Sequence, residues 1–371
     1  MSRPPATDLN GRVAALLREL ASAQTSTQKR WAYTRASDAV LTLDAPLDRY
    51  LRPDGTLQKI RHVGPSSERV ILEVLRTGHS ETVAQATAGT AQAAGAGRRA
   101  DSQQANYLSG AQVTAALSDP TLDGPALDDY RGDLQMHSTW SDGTTSVDEM
   151  VRACRARGYT FCAITDHSYG LRIAGGASMA DLRRQHVEID ALNRRTRGRF
   201  RVFKGVEANI QADGHLDLTP DEIAQFELVV ASAHSALRST EDQTGRMLRA
   251  VSTTGVHILG HPRGRKLGTR PGIRANWAKV FAHAARFGVA IEIDGDPRRQ
   301  DVDFVLAREA VQAGCFIALD SDAHAPDELA FAEIAVAHAR LGGIPLSRIV
   351  NCWPLDRVVE WMRLRSIATD P

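Results

Sequence analysis

The first hydrophobic pattern along the chain has helical spacing. Val13, Leu16, Leu17 and Leu20 fall on one face of a turn of 3.6 residues. A second helix is predicted from about Gln28 to Leu43. A third follows within LQKIRHVGPSSERVILEVLRTG, Leu57 to Gly78. Val70, Ile71, Val74 and Leu75 line its apolar face, and Gly78 suits a helix C-cap. The pattern then fades. Residues 84 to 105 are rich in alanine, glycine and glutamine and almost without large apolar side chains, so they bury too little surface to offset the entropy of ordering. A flexible linker is expected there, with a short helix near Ala111 to Leu117.

From Arg131 the rhythm changes to short apolar runs alternating with amphipathic helices. Strands are predicted around Leu134, then at Tyr159–Thr165, Arg201–Val206, Leu228–Ala233, Val256–Gly260, Val289–Ile293 and Phe316–Leu319. The intervening helices have readable starts. Ser146 and Glu149 form a capping box, and Gly158 ends that helix. Others run near Met179–Arg197, Asp242–Thr254, Asn276–Phe287, Val302–Ala313 and Asp327–Leu341. Strands in β-α order and apolar on both faces imply a barrel or an open parallel sheet.

Ligand-type residues cluster at one end of these strands. His137 and Asp142 follow the first, in GDLQMHSTWSDG, and Asp166 and His167 follow the second. Glu207 ends the third, His234 the fourth and His261 the fifth. Asp322 and His324 follow the seventh. All C-terminal strand ends of a parallel barrel open on one face, where active sites form. A single histidine after a strand is commonly a capping residue, but five of the twelve histidines share this position with three carboxylates. His62, His79, His186, His215, His257, His283 and His338 fall elsewhere, with His215 near Glu207. Eight nitrogen and oxygen donors exceed what one tetrahedral ion needs, so two or three divalent ions are expected. Imidazole with carboxylate suits Zn²⁺, Mn²⁺ or Fe²⁺. Such clusters activate water and clamp a phosphoryl transition state.

Composition narrows little further. Net charge is +1, which gives no global pull toward nucleic acid or membrane. The four cysteines form no CxxC and lie in or beside apolar runs, as expected of free thiols in a reducing compartment. The first residues, MSRPPATDLN, hold no apolar signal core, and no apolar run approaches ~20 residues. A cytoplasmic protein without membrane association is expected.

Taken in order, DLQMHSTWSDG, ITDHS, GVEANIQADGHLDL, ASAHS, GHPRGR, EIDGDPRR and DSDAH resemble the PHP (polymerase and histidinol phosphatase) family across roughly Asp128 to Trp361. The resemblance implies an α/β fold, a distorted (β/α)7 barrel with a trinuclear metal site that hydrolyses phosphate esters. HVGPSSERVILEVLRTG resembles the helix-hairpin-helix of the small N-terminal domain of bacterial family X DNA polymerases, a motif that grips DNA phosphate. The implied domains are 1–82 (helical, helix-hairpin-helix-like), 83–127 (linker) and 128–371 (barrel). His62 stands where the hairpin's first glycine is usual, with Pro65 and Glu68 at usually small positions. Val70 takes the place of the lyase lysine, so no Schiff-base lyase activity is expected. Residues 79 to 131 are too few for polymerase palm and fingers.

Carried over residue by residue, the resemblance gives His137, Glu207 and Asp322 a first ion, with Gln135 replacing a histidine. Glu207 bridges to a second ion held by His234. Asp142, His167, His261 and His324 complete the second and third positions. Glu207, His234 and Asp322 form the catalytic set, and a bridging hydroxide is the nucleophile. Arg265 and Arg298 are candidates for gripping substrate phosphate. The implied function is a metal-dependent phosphoesterase acting on DNA ends, as a 3′-5′ exonuclease or 3′-phosphatase. The alternatives are a small-molecule phosphatase of histidinol-phosphatase type and a non-catalytic DNA-binding or scaffold protein with a degenerate site. Gln135 favours the last; the other eight ligands oppose it.

Overall fold

The structure is a computed structural model and describes residues 8–88 and 106–367. The chain divides into two compact units. One ends at Asp119 and takes in Leu267–Arg270; the other comprises Pro120–Lys266 and Pro271–Pro371.

The first unit is helical. Helices α1 (Leu9–Ser22), α2 (Thr27–Leu41), α3 (Pro65–Thr77) and α4 (Glu81–Thr87) pack around Val13, Leu17, Leu20, Val40, Val70, Ile71 and Val74. Most residues that carried the helical spacing are buried there, and Leu16 and Leu75 pack partly buried against the same core. Gly78 ends α3 in the left-handed conformation at φ +77°, which a glycine adopts without steric cost.

Two expectations for this unit need correction. The linker was placed from residue 83, but Val83 is buried in the helical core on α4. Tyr107 joins the same core, and Gly110–Ser118 is a capped helix, so the unit continues to Asp119. The remaining low-complexity stretch, residues 89–105, lies outside the described residues. The hairpin motif has only its second helix: Leu57–Gly64 is irregular, preceded by a 3-10 turn at Leu47–Tyr50. Pro65 disfavours helical backbone at Gly64, which holds an extended ψ of 176°. His62 nevertheless keeps the glycine-type conformation, at φ +66°.

The second unit is one parallel sheet of seven strands in the order β1 to β7. They are β1 (Gly132–Asp133), β2 (Phe161–Ile164), β3 (Arg201–Asn209), β4 (Leu228–Ser232), β5 (Ile258–Gly260), β6 (Ala290–Asp294) and β7 (Ile317–Asp320). A parallel bridge between Met136 and Ala323 joins the two ends of the sheet, giving a nearly closed (β/α)7 barrel. The interior is packed with side chains. Phe161, Phe203, Leu228, Val230, Ile258, Ala290 and Ala318 come from six different strands and meet Val350, Trp353, Trp361 and Met362. Those last residues belong to the C-terminal segment and its helix Leu355–Ile367, which the sequence reading did not resolve. Apolar packing thus fills one part of the barrel interior, and the strand ends that carry polar residues stay available for chemistry.

His62→Gly removes a left-handed non-glycine residue, whose cost is about 1 kcal/mol. It is expected to raise the urea midpoint of the full chain slightly, and a lowered midpoint would mean that His62 makes a stabilising contact that outweighs the strain.

Candidate metal centre

Glu207 sits near the C-terminal end of β3, with its side chain fully buried. Its two oxygens face different partners. Oε1 lies 2.9 Å from His261 Nε2 and 3.4 Å from His234 Nε2. Oε2 lies 3.0 Å from His167 Nδ1 and 3.4 Å from His137 Nε2. One carboxylate therefore touches imidazoles delivered by β1, β2, β4 and β5. Burial alone would raise its pKa, but the His167 and His234 rings override this and hold the carboxyl well below the usual range.

Two further carboxylates complete the cup. Asp322 Oδ1 is 3.0 Å from His137 Nε2. Asp142 Oδ1 is 3.4 Å from His324 Nε2, 3.6 Å from His167 Nε2 and 3.8 Å from His137 Nδ1. His137 stacks between His167 and His324, with ring centroids 4.5 and 4.3 Å away. Three groups have donor atoms close enough to share an ion: His137, Glu207 and Asp322; His167, Glu207 and His234; and His137, Asp142, His167 and His324. His261 joins through Glu207 Oε1. All eight expected ligands thus converge. His215 does not: it is exposed and bound to Asp213.

The donor set fits divalent ions. It is buried, made of imidazole and carboxylate, and leaves Gln135 Oε1, His137 Nδ1 and His261 Nδ1 without hydrogen-bond partners. Such orphaned buried atoms are costly unless a cation or water meets them. Neighbouring groups also fix ring orientation. Asn209 Oδ1 lies 3.2 Å from His234 Nδ1, and the Asp322 carbonyl lies 2.7 Å from His324 Nδ1. A proton on each Nδ1 leaves Nε2 free toward the carboxylates. Burial, reinforced by His261 and His167, brings His234 down to about 4 against the pull of Glu207, so it is neutral at pH 7. His324 goes the other way: Asp142 and Asp322 outweigh burial and lift it to about 9. His261 and Asp322 both hold positive φ, 23° and 52°, a strain of roughly 1–3 kcal/mol each that concentrates at functional sites.

Several residues that hold the centre were missed or misread from the sequence. Asp166 of ITDHS joins none of the three donor groups. It accepts from Ser138 N, Ser138 Oγ, Ser141 Oγ and Gln185 Nε2, at 2.9, 2.6, 2.5 and 2.6 Å, and so ties down the loop that carries Asp142. Beneath the cup lie buried Asp133, Glu292 and Asp320. Asp320 accepts from Leu134 N and Asn351 Nδ2, and Glu292 from His261 N. Burial, then mutual repulsion, lifts Asp133 to about 8. Carboxylates inside apolar strands (GDLQ, EID, ALDSD) were the available signal.

Arg265 is corrected. It is 3% exposed, and its guanidinium donates to the carbonyls of Arg299 and Gln300 and meets Asp303 Oδ2 at 3.3 Å. It staples a loop and cannot turn to substrate without breaking those bonds. Arg298 is exposed on that loop. Its neighbour Arg299, overlooked in the sequence, places Nη1 2.5 Å from Asp322 Oδ2.

The profile of the PHP domain matches residues 133–267. Over that stretch the chain is similar to the PHP domain. Among curated relatives, the DNA polymerase/3′-5′ exonuclease PolX of Bacillus subtilis is 36% identical over 238 residues, 64% of this chain and 42% of that protein. The chain therefore spans under half the length of that relative. A probable phosphatase of Citrobacter koseri is 27% identical over 257 residues, 65% of this chain and 98% of that protein. Among solved structures, the histidinol phosphate phosphatase of Lactococcus lactis, complexed with zinc, L-histidinol and phosphate, matches with a TM-score of 0.43 and 18% identity, over 57% of this chain and 94% of that one. No helix among the described residues is long and apolar enough to cross a membrane.

Asp166→Asn should weaken metal binding by roughly 10–100-fold with the fold intact, as loss of a supporting hydrogen-bond partner does. Unchanged affinity by titration calorimetry would show that the Asp142 loop holds itself. With His324 as a ligand, metal binding would displace its proton, so affinity should rise as pH increases toward about 9. Calorimetry in buffers of different ionisation enthalpy should register proton release at pH 7; none released would contradict the raised pKa.

Proposed function

We propose that this PHP-domain protein is a metal-dependent phosphoesterase that acts on DNA ends. The carrying observation is Glu207, buried between two imidazoles on each carboxylate oxygen. When bound, divalent ions would activate water and neutralise phosphate charge. His137, Glu207 and Asp322 would hold one ion, His234 and His261 with Glu207 a second, and Asp142, His167 and His324 a third. Glu207 would be shared between two of them, and Asn209 and the Asp322 carbonyl fix the Nδ1 of His234 and His324, which leaves Nε2 of each turned inward. Neutral His234 keeps a lone pair available at pH 7.

DNA is favoured by the identity with PolX, which covers the barrel region, and by the helical unit. A hollow there is lined by Arg35, Lys59, Arg61 and His62, beside Asp38. Cations grouped in a concavity suit a phosphate backbone, a grip that carries no sequence information. A second reading, a small-ester phosphatase, draws on the probable phosphatase that matches over nearly its whole length.

The deciding measurement is turnover under Mn²⁺ or Zn²⁺ of an aryl phosphate, an aryl phosphodiester and a 3′-phosphorylated oligonucleotide. Faster turnover of the oligonucleotide supports the DNA reading, and a preference for the small monoester supports the second. Glu207→Gln should lower kcat on the order of 10²–10³-fold. No turnover of any of the three would sink the enzyme. Lys59→Glu with Arg61→Glu should weaken DNA binding and reduce the salt slope by about two. An unchanged slope would remove the helical unit from the DNA reading.

A further inference from the structure

Every strand except β6 sends an imidazole or a carboxylate of the proposed ligand set into the cup. The segment after β6 sends Arg299. Its Nη1 lies 2.5 Å from Asp322 Oδ2 and 3.4 Å from Asp294 Oδ2. The loop that bears it is stapled from below, since buried Arg265 donates to the carbonyls of Arg299 and Gln300. This is a fixed guanidinium with its position set by two backbone contacts, unlike a solvated surface charge.

The other oxygen of Asp322 is also occupied. Oδ1 is 3.0 Å from His137 Nε2 and 3.4 Å from Gln135 Nε2. Gln135 is fully buried; its amide N–H is turned to Asp322 Oδ1, and the only ligand atom it offers is its unpartnered neutral Oε1. The first group of donors, His137, Glu207 and Asp322, therefore has a permanent cation on one side and a neutral amide on another. The first group differs from the other two in its neighbours, since Asp322, which carries both the guanidinium and the amide, belongs to it alone. A divalent ion in the first position must share Asp322 with a guanidinium that repels it, and it gains no imidazole from residue 135.

Resting on the metal-centre reading above, we propose that Arg299 is a built-in cation of this centre. Two ions are held tightly, in the positions of His234 with His261 and of Asp142 with His324. Arg299 takes over a third ion's part in neutralising Asp322, and any ion in the first position exchanges freely. Arg299 acts through Asp322 and is a positioning residue.

The test is the metal count of the full-length protein, loaded with Mn²⁺, desalted, dialysed and measured by elemental analysis. The wild type should keep two ions per chain. Gln135→His combined with Arg299→Gln should keep three, and Arg299→Lys, which preserves the charge, should stay at two. Should the double variant not fold by circular dichroism, Gln135→His alone decides: it should tighten a third Mn²⁺ by about tenfold or more. A wild type that keeps three ions, or a folded double variant that stays at two, overturns the proposal. A wild type that keeps none or one overturns it together with the metal-centre reading, which separates the two failures.

Discussion

The barrel is organised around one buried charge. Glu207 has no exposed carboxylate oxygen and meets four imidazoles at 2.9 to 3.4 Å. An isolated buried carboxylate would neutralise itself by taking up a proton. Here the surrounding rings reverse that tendency and keep it ionised. Because those rings come from four strands, the charge is satisfied only when β1 to β5 are in register. The parallel sheet is thus a condition of the site as well as its support.

The polar layer beneath the cup extends the same logic. Asp133, Glu292 and Asp320 lie where an apolar side chain would pack more cheaply. Each instead accepts hydrogen bonds from the backbone at the strand ends, at Gln135 and Ser321, His261 and Leu134. Buried carboxyl groups used in this way specify one backbone path, since any slip leaves buried polar oxygens without donors. Asp166 does the same for the Asp142 loop from the side, and Arg265 for the Arg299 loop from below. The metal-facing side chains therefore stand on backbone held by a second set of ionisable residues. That arrangement accounts for the left-handed geometry tolerated at His261 and Asp322.

The helical unit obeys simpler rules. Its core is the apolar stripe of α1 to α4, and its irregular segment at Leu57–Gly64 is set by backbone constraints at His62 and Pro65. Cations at Arg35, Lys59 and Arg61 gather there beside a single acid, Asp38, although the chain's overall charge is only +1.

The sequence by itself determined the seven strands, the free thiols and the eight imidazoles and carboxylates that converge at the strand ends. Each depends on local periodicity or on a residue's place at the end of an apolar run, and both are written along the chain. The helical unit's boundary was misplaced because Val83 and Tyr107 join the core from either side of a low-complexity stretch. Only the tertiary structure decided which way the charged side chains face. Asp166 and His167 are neighbours in sequence, yet one clamps a loop and the other faces Glu207. Arg298 and Arg299 are neighbours, yet only Arg299 reaches Asp322. Adjacent residues leave the backbone in different directions, and burial then selects the one whose charge finds a partner. That selection depends on residues far along the chain, such as Ser138 for Asp166 and Asp322 for Arg299, beyond what local pattern carries.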